Sequence, residues 1–305
     1  MDANELRKIV RSTYHKSILV REPMRRHTSF HIGGPADILV QPENLDDIGK
    51  IKLVCFKHNI PVTTIGNGSN LLVRDGGIRG VVMKIGQGFS TIEARGERVR
   101  AQAGASLCAV SDLANRNGLS GMEFACGIPG TVGGAVVMNA GAYGGEMKDI
   151  VSGIAIMDAS GCVHSLDNAA LQFGYRSSAL QSRPGDVILE AVFNLKAGAG
   201  KEERELMKNY MLQRKEKQPI QYPSAGSFFK RPKGHFAAVL IEEAGLKGYR
   251  IGDAQVSELH AGFIINRGRA TAKDVTALMH HIQGKVFAYS GVNLEPEVRI
   301  IGEDD

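Results

Sequence analysis

The run Gly127-Ile128-Pro129-Gly130-Thr131-Val132-Gly133-Gly134-Ala135 continues to Asn139-Ala140-Gly141-Ala142-Tyr143-Gly144-Gly145, with no charge before Glu146. Gly130, Gly133 and Gly134 fit the start of a tightly packed helix whose N–H groups face a phosphate. They equally fit close packing between two elements. A second run, Ile65-Gly66-Asn67-Gly68-Ser69-Asn70-Leu71, lies between two strand-like stretches. Gly66 and Gly68 let successive backbone N–H groups converge on an anion, with Asn67, Ser69 and Asn70 beside them; a tight hairpin turn fits too. Neither run is a Rossmann fingerprint, because Leu71 stands where the third glycine belongs, and no Walker pattern occurs. Two uncharged, donor-rich runs together favour a dinucleotide or diphosphate cradle.

These runs explain an unusual composition. The chain has 305 residues and 37 glycines, and 16 of them fall within 66–88 and 118–145. So local an excess excludes disorder and collagen-like structure as its source. A chain this long suits two or three modest domains. The net charge is +5, from 37 basic and 32 acidic residues, and there is no Trp. Neither a basic stripe nor stacking aromatics point to nucleic acid. No apolar run approaches the ~18 residues of a membrane span, and the N-terminus lacks the apolar core of a signal peptide. Cys55, Cys108, Cys126 and Cys162 show no paired spacing and read as reduced core residues of a cytoplasmic protein. His27 with His31, and His280 with His281, have no acid or Cys to complete a metal site, so no metal is expected.

Residues 2–20 predict an amphipathic helix. Strands are expected at 38–40, 62–65, 71–73, 81–85 and 99–103, with a helix near 45–54 between the first two. Ser106 caps a helix that Gly118 ends. Strands follow at 150–158 and 187–195. Ala197-Gly198-Ala199-Gly200 marks a boundary. Beyond it, 202–217 reads as a helix with Leu206, Tyr210 and Met211 on one side. Helices at 235–244 and from Thr271, and strands at 263–265 and 298–301, complete an α+β order without regular βα alternation. The expected domains are 1–200, in lobes of roughly 1–86 and 87–200, and 201–305.

An ordered set of motifs is more specific than any one run. It comprises 28–37 (Thr-Ser-Phe-His-Ile-Gly-Gly-Pro-Ala-Asp), Gly66–Asn70, Gly127–Ala135, Tyr175-Arg176-Ser177-Ser178, Pro223–Lys230 and Leu294–Arg299. Taken together it resembles the UDP-N-acetylenolpyruvoylglucosamine reductase family, in its shorter type without an extra subdomain. The resemblance covers nearly the whole chain. It implies the FAD-binding fold of the p-cresol methylhydroxylase and vanillyl-alcohol oxidase group in two lobes, then an α+β substrate domain. FAD would lie on Gly66, Asn67, Gly68, Ser69, Asn70, Gly130, Thr131, Gly133, Gly134 and Asn139. Some members of the larger group bond flavin through a His near the first glycine loop. This chain has no His between His58 and His164, so FAD is expected to be non-covalent.

The implied reaction reduces the enolpyruvyl ether of UDP-N-acetylglucosamine enolpyruvate with electrons from NADPH. By the same resemblance Arg176 holds the substrate carboxylate, which a planar guanidinium suits. Ser227 gives the proton, with Gly226 before it clearing side-chain bulk. Glu297 stands by the forming enolate, which requires it to be protonated or held by a cation; Glu295 is the competing glutamate. Tyr175, Lys230, Arg231 and Tyr249 are substrate contacts. Arg231 and Asp253 depart from frequent family residues, and Asp253 fits a turn. The expected protein is a monomeric cytoplasmic enzyme of peptidoglycan precursor synthesis. The competing readings are another flavin enzyme oxidising a hydroxy acid or sugar alcohol, and an inactive nucleotide-binding module.

Overall fold

The computed structural model describes residues 1–304. The chain forms two compact units: 1–20, 37–67 and 80–212 make the first; 21–36, 68–79 and Gln213 onward make the second. This division differs from a cut at 200.

In the first unit five antiparallel strands run in the order Val163–Asp167, Val151–Met157, Val187–Asn194, Arg98–Gln102, Ile92–Arg95. Val99, Ala101, Ile154, Ile156, Ala191 and Phe193 alternate inward, and they share a core with Leu107 and Val110 of the helix Leu107–Arg116. Ser106 caps that helix and Gly118, at φ 66°, follows its end, as the sequence predicts. A second sheet orders Ile18–Pro23, Pro35–Val40, Ile78–Lys84 and Val62–Ile65, the last two parallel. The helix Leu45–Lys57 buries Ile48, Ile51 and Val54 against Ile38, Val40, Val81 and Met83.

One helix expectation needs correction. The N-terminal helix is only Ala3–Arg11, and Ile18–Pro23 is a strand. Asp2 caps its start, while the β-branched Ile18 and Val20 pair better in a sheet than in a helix. The helix expected at 202–217 forms as Lys201–Lys217 and has no fully buried residue. Tyr210 on it stacks flat on Tyr143, with ring centroids 4.0 Å apart. Cys162 is exposed, unlike the buried Cys55 and Cys126.

The second unit carries a sheet ordered Ser224–Ser227, Phe263–Asn266, Ala254–Val256, Arg250–Ile251. Helices Ala237–Glu243 and Ala272–Ser290 supply Leu240, Ile241, Leu278 and Ile282 to a core that also holds Phe228 and Ile264. Thr271 and Asp274 form the capping box expected at the last helix. The N-terminal segments 21–36 and 68–79 belong here for three physical reasons. Phe30, Ile32 and Leu72 complete the core. Leu71–Val73 pairs in parallel with Arg299–Ile301. The Asp75 carboxylate accepts the N–H groups of Ala272 and Lys273 at 2.9 Å, closing a helix N-terminus. No helix among the described residues is long and apolar enough to cross a membrane.

Candidate cofactor and catalytic site

The two glycine runs do different work. In the first unit Thr131 caps the short helix Val132–Val137 through Gly134 N–H. The N–H of Val132 donates to Ala105 O at 2.8 Å and that of Gly133 to Ala103 O at 2.9 Å. A Cβ on Gly133 would stand 3.1 Å from Ala103 Cβ. These amides are therefore engaged by protein, and Gly133 serves close packing. The N–H groups of Gly130 and Thr131, just ahead of the helix, meet no acceptor among the described residues. Asn139 is likewise structural: it is 0% exposed, and its amide donates to Glu146 and to Gly174 O while its Oδ1 accepts Lys148 N–H.

The loop 66–70 is the opposite case. Among the described residues no backbone N–H from Gly66 to Asn70 finds an acceptor. Gly66 lies against Thr131, where a Cβ would strike the threonine hydroxyl. The Asn67 side chain reaches Pro129 O at 3.4 Å. Gly68 sits at φ 64°, with His27 O and Thr28 Cα where a Cβ would go. Consecutive unengaged amides around a left-handed glycine are the donor set that a diphosphate takes, so these residues fit FAD. Lys84, missed by the sequence reading, pairs across from Ile65, and burial pushes its ammonium pKa down.

Arg176 belongs to the first unit. Tyr175 and Arg176 are the two central residues of a turn closed by Gly174 and Ser177, whose amides exchange hydrogen bonds at 3.0 and 3.2 Å. Arg176 is held at φ 53°, a left-handed conformation uncommon for any residue with a Cβ. The Gln181 amide fixes its carbonyl at 3.1 Å, and its own Nη2 donates to Gly141 O at 2.9 Å. Asn139, Tyr143 and Arg176 all have positive φ, and Asn139 and Arg176 tie their two segments together. Tyr175 is 52% exposed.

Ser227 and Glu297 both belong to the second unit, on adjacent segments. Ser224 pairs with Ile265 and Ser227 with Phe263, so one extra residue bulges between them. Gly226, at φ 80°, makes that bulge, and no atom lies near its missing Cβ. The glycine turns the strand, leaves open space where a Cβ would stand, and leaves Ser227 exposed. Next to it, 228–230 runs antiparallel to 295–297. Glu297 N–H donates to Phe228 O, and Lys230 N–H to Glu295 O, both at 2.8 Å. Asn70 Nδ2 donates to Glu297 O at 3.1 Å. The two glutamates differ in surroundings: Glu295 is 74% exposed in its side chain and pairs with Lys230 at 3.2 Å, whereas Glu297 is half-buried.

Of the expected substrate contacts, Lys230, Arg231 and Tyr249 lie in the second unit and Tyr175 in the first. Arg231 lies over the Phe236 ring at 3.9 Å. Tyr249 stacks on His281 with centroids 4.3 Å apart, giving that histidine a partner the sequence did not suggest. Asp253 is the turn residue expected: its carboxylate takes Arg250 and the Arg269 N–H, at 2.7 and 2.9 Å.

The fold and the unengaged amide loop define the class as an FAD-binding oxidoreductase. Residues 36–167 match the family model described as "FAD binding domain" and 218–301 that described as "UDP-N-acetylenolpyruvoylglucosamine reductase, C-terminal domain". A UDP-N-acetylenolpyruvoylglucosamine reductase of Clostridium botulinum is 50% identical over 295 residues, covering 95% of this chain and 94% of that one. One from Clostridioides difficile is 48% identical over 289 residues, with 95% of each covered. The crystal structure of the Thermus caldophilus reductase matches with a TM-score of 0.80 at 36% identity, over 93% of this chain and 98% of that one. The chain belongs to the UDP-N-acetylenolpyruvoylglucosamine reductase family.

Proposed function

We propose that the chain reduces UDP-N-acetylglucosamine enolpyruvate to UDP-N-acetylmuramate, a step of peptidoglycan precursor synthesis, with NADPH as electron donor and FAD held non-covalently. Family membership supports the reaction class. The observation that carries the residue assignment is the antiparallel pairing of 228–230 with 295–297, which fixes Glu297 beside the segment that begins at Ser227.

The chemistry that FAD would supply when bound is hydride transfer, with NADPH as the donor. The residues of the chain do the rest. The methylene carbon of the enolpyruvyl group gains the hydride and the adjacent carbon gains a proton, so two electrons and two hydrogens are added in all. Arg176 takes the substrate carboxylate through its fork of N–H donors and stabilises the enolate charge. The Ser227 hydroxyl delivers the proton, replenished through solvent because the residue is exposed. Glu297 attends the carboxylate end, with its backbone fixed by Phe228 and Asn70. The amides of 66–70 bind the FAD diphosphate. Lys230, Arg231, Tyr175 and Tyr249 are the contacts for the nucleotide sugar. The enzyme acts as a monomer in the cytoplasm.

The test separates the two half-reactions. Ser227→Ala leaves flavin reduction by NADPH intact and slows reoxidation by the enolpyruvyl nucleotide by ~10²–10⁴-fold, the range for loss of a positioned proton donor. Unchanged reoxidation removes Ser227 from the mechanism. NADPH oxidation that ignores the nucleotide rejects the reaction itself.

A further inference from the structure

The segment between Val256 and Phe263 holds a histidine that the proposed chemistry does not use. Its turn is densely bonded. The Ser257 hydroxyl accepts the N–H groups of Leu259 and His260, each at 3.2 Å. Ser257 N–H donates to Phe263 O at 2.9 Å, and Phe263 N–H to His260 O at 3.0 Å. His260 Nδ1 lies 3.1 Å from the Gly262 N–H and accepts from it. The ring leaves no room at that residue: a Cβ on Gly262 would stand 2.9 Å from His260 Cε1. It meets Phe263 edge-on, with centroids 5.1 Å apart.

That turn sits next to the bulged strand. Gly262 O accepts the N–H of Phe228 at 2.8 Å, and Phe263 is the partner of Ser227. A line of bonds thus runs from the imidazole through the Gly262 peptide to Phe228, the residue after Ser227. We propose that His260, as a neutral imidazole accepting through Nδ1, is a positioning residue that sets the register of Phe263 against the bulge and so aims the Ser227 hydroxyl. The role deepens the proposed reaction and rests on Ser227 being its proton donor.

Only one tautomer serves. Nδ1 must be bare and Nε2 protonated, since a proton on Nδ1 would point at another N–H. The surroundings favour that state. Burial lowers the pKa of the ring below that of a free histidine. A hydrogen bond to the backbone of His260 itself opposes that lowering; Lys247 adds to it and Glu242 opposes it. Those two form an ion pair of their own at 2.9 Å. Acidification would place a second donor opposite the Gly262 N–H and loosen the register.

Nitrogen NMR of the imidazole in the purified holoenzyme reads the tautomer directly. The expected spectrum at pH 8 has Nδ1 bare and Nε2 protonated; the reverse overturns the proposal. In His260→Leu, amide exchange of Gly262 and Phe228 should quicken and substrate reoxidation slow by about tenfold, the effect of losing one buried hydrogen bond. Reduction by NADPH should change by less than half as much. In His260→Asn, whose Oδ1 can accept, both effects should largely be rescued, and the acid limb that protonation of the ring imposes on wild-type reoxidation should vanish. Equal loss in both variants, equal loss in both half-reactions, or unchanged Phe228 exchange in His260→Leu overturns the role. If His260→Leu fails to fold, acidification of the wild type decides: Phe228 exchange that does not quicken as the ring protonates overturns it. Tautomer and exchange do not depend on turnover. If Ser227→Ala shows no defect, they still report whether His260 holds the strand, and the catalytic reading alone fails.

Discussion

The loop 66–70 and the run 127–135 are both uncharged and glycine-rich, but the fold engages their amides differently. In the second, the first helix amides are engaged by Ala103 O, Ala105 O and the Thr131 hydroxyl. In the first, the amides have no protein acceptor and remain available to an anion. Glycine count therefore locates both runs without separating them. The second run supports the first from behind: Thr131, its helix cap, is the residue against which Gly66 packs. A cofactor loop needs unengaged donors, and unengaged donors need a rigid neighbour to hold them in place.

Substitutions in the two runs should therefore fail in different ways. The largest effect belongs to Gly68→Ala. A left-handed alanine costs roughly 1–2 kcal/mol, and its Cβ would also meet His27 O. FAD affinity should fall by about tenfold or more, read by fluorescence titration of apoenzyme; unchanged affinity breaks the assignment of this loop to the diphosphate. Gly133→Ala comes next. Overpacking against Ala103 costs about 1–3 kcal/mol, offset by the ~1 kcal/mol that alanine returns as a helix former. The expected outcome is a net loss of stability near ~1 kcal/mol in denaturant with FAD affinity unchanged. A selective loss of FAD would instead mean that this helix touches the cofactor.

Smaller still is the coupling between the runs. Gly66→Ala and Thr131→Ala should be non-additive, because removing the threonine hydroxyl clears the atom a Cβ on Gly66 would strike first. Contacting pairs show interaction energies of ~0.5–3 kcal/mol, and strict additivity in a double-mutant cycle would argue that the contact is not maintained. Heat or acid denaturation should release FAD into the ultrafiltrate, since no His lies between His58 and His164; flavin remaining on the chain would reveal a covalent link. The smallest effect is a pH dependence of stability. His260 has a lowered pKa in the fold, so below its ordinary value the unfolded chain binds the proton more readily. Its contribution is complete above that value and is lost as pH falls through the folded pKa. The melting temperature of the wild type should drop more than that of His260→Asn between pH 8 and pH 5.

Much of the fold was legible because its signals are local. Ser106, Thr271 with Asp274, and Gly118 mark helix ends by their own side chains or backbone preferences. The misreadings came where a distant partner decides. Residues 18–20 are a strand because a sheet is there to receive them. Of the candidate site, the motif residues were legible by resemblance. The surroundings that separate Glu295 from Glu297 were not, because Pro296 interrupts regular alternation and only the pairing with 228–230 sets their places. His260 gave no signal beyond its own turn.

By itself the sequence determined the α+β class, the two glycine runs and the family, since these depend on residue type and spacing along the chain. Tertiary structure decided which glycine amides stay open, that 21–36 and 68–79 join the C-terminal unit, and what fixes Ser227 and Glu297. The physical reason is the same in each case. A backbone N–H or a buried apolar side chain takes whatever acceptor or partner the folded chain brings within reach, and those partners lie far away in sequence.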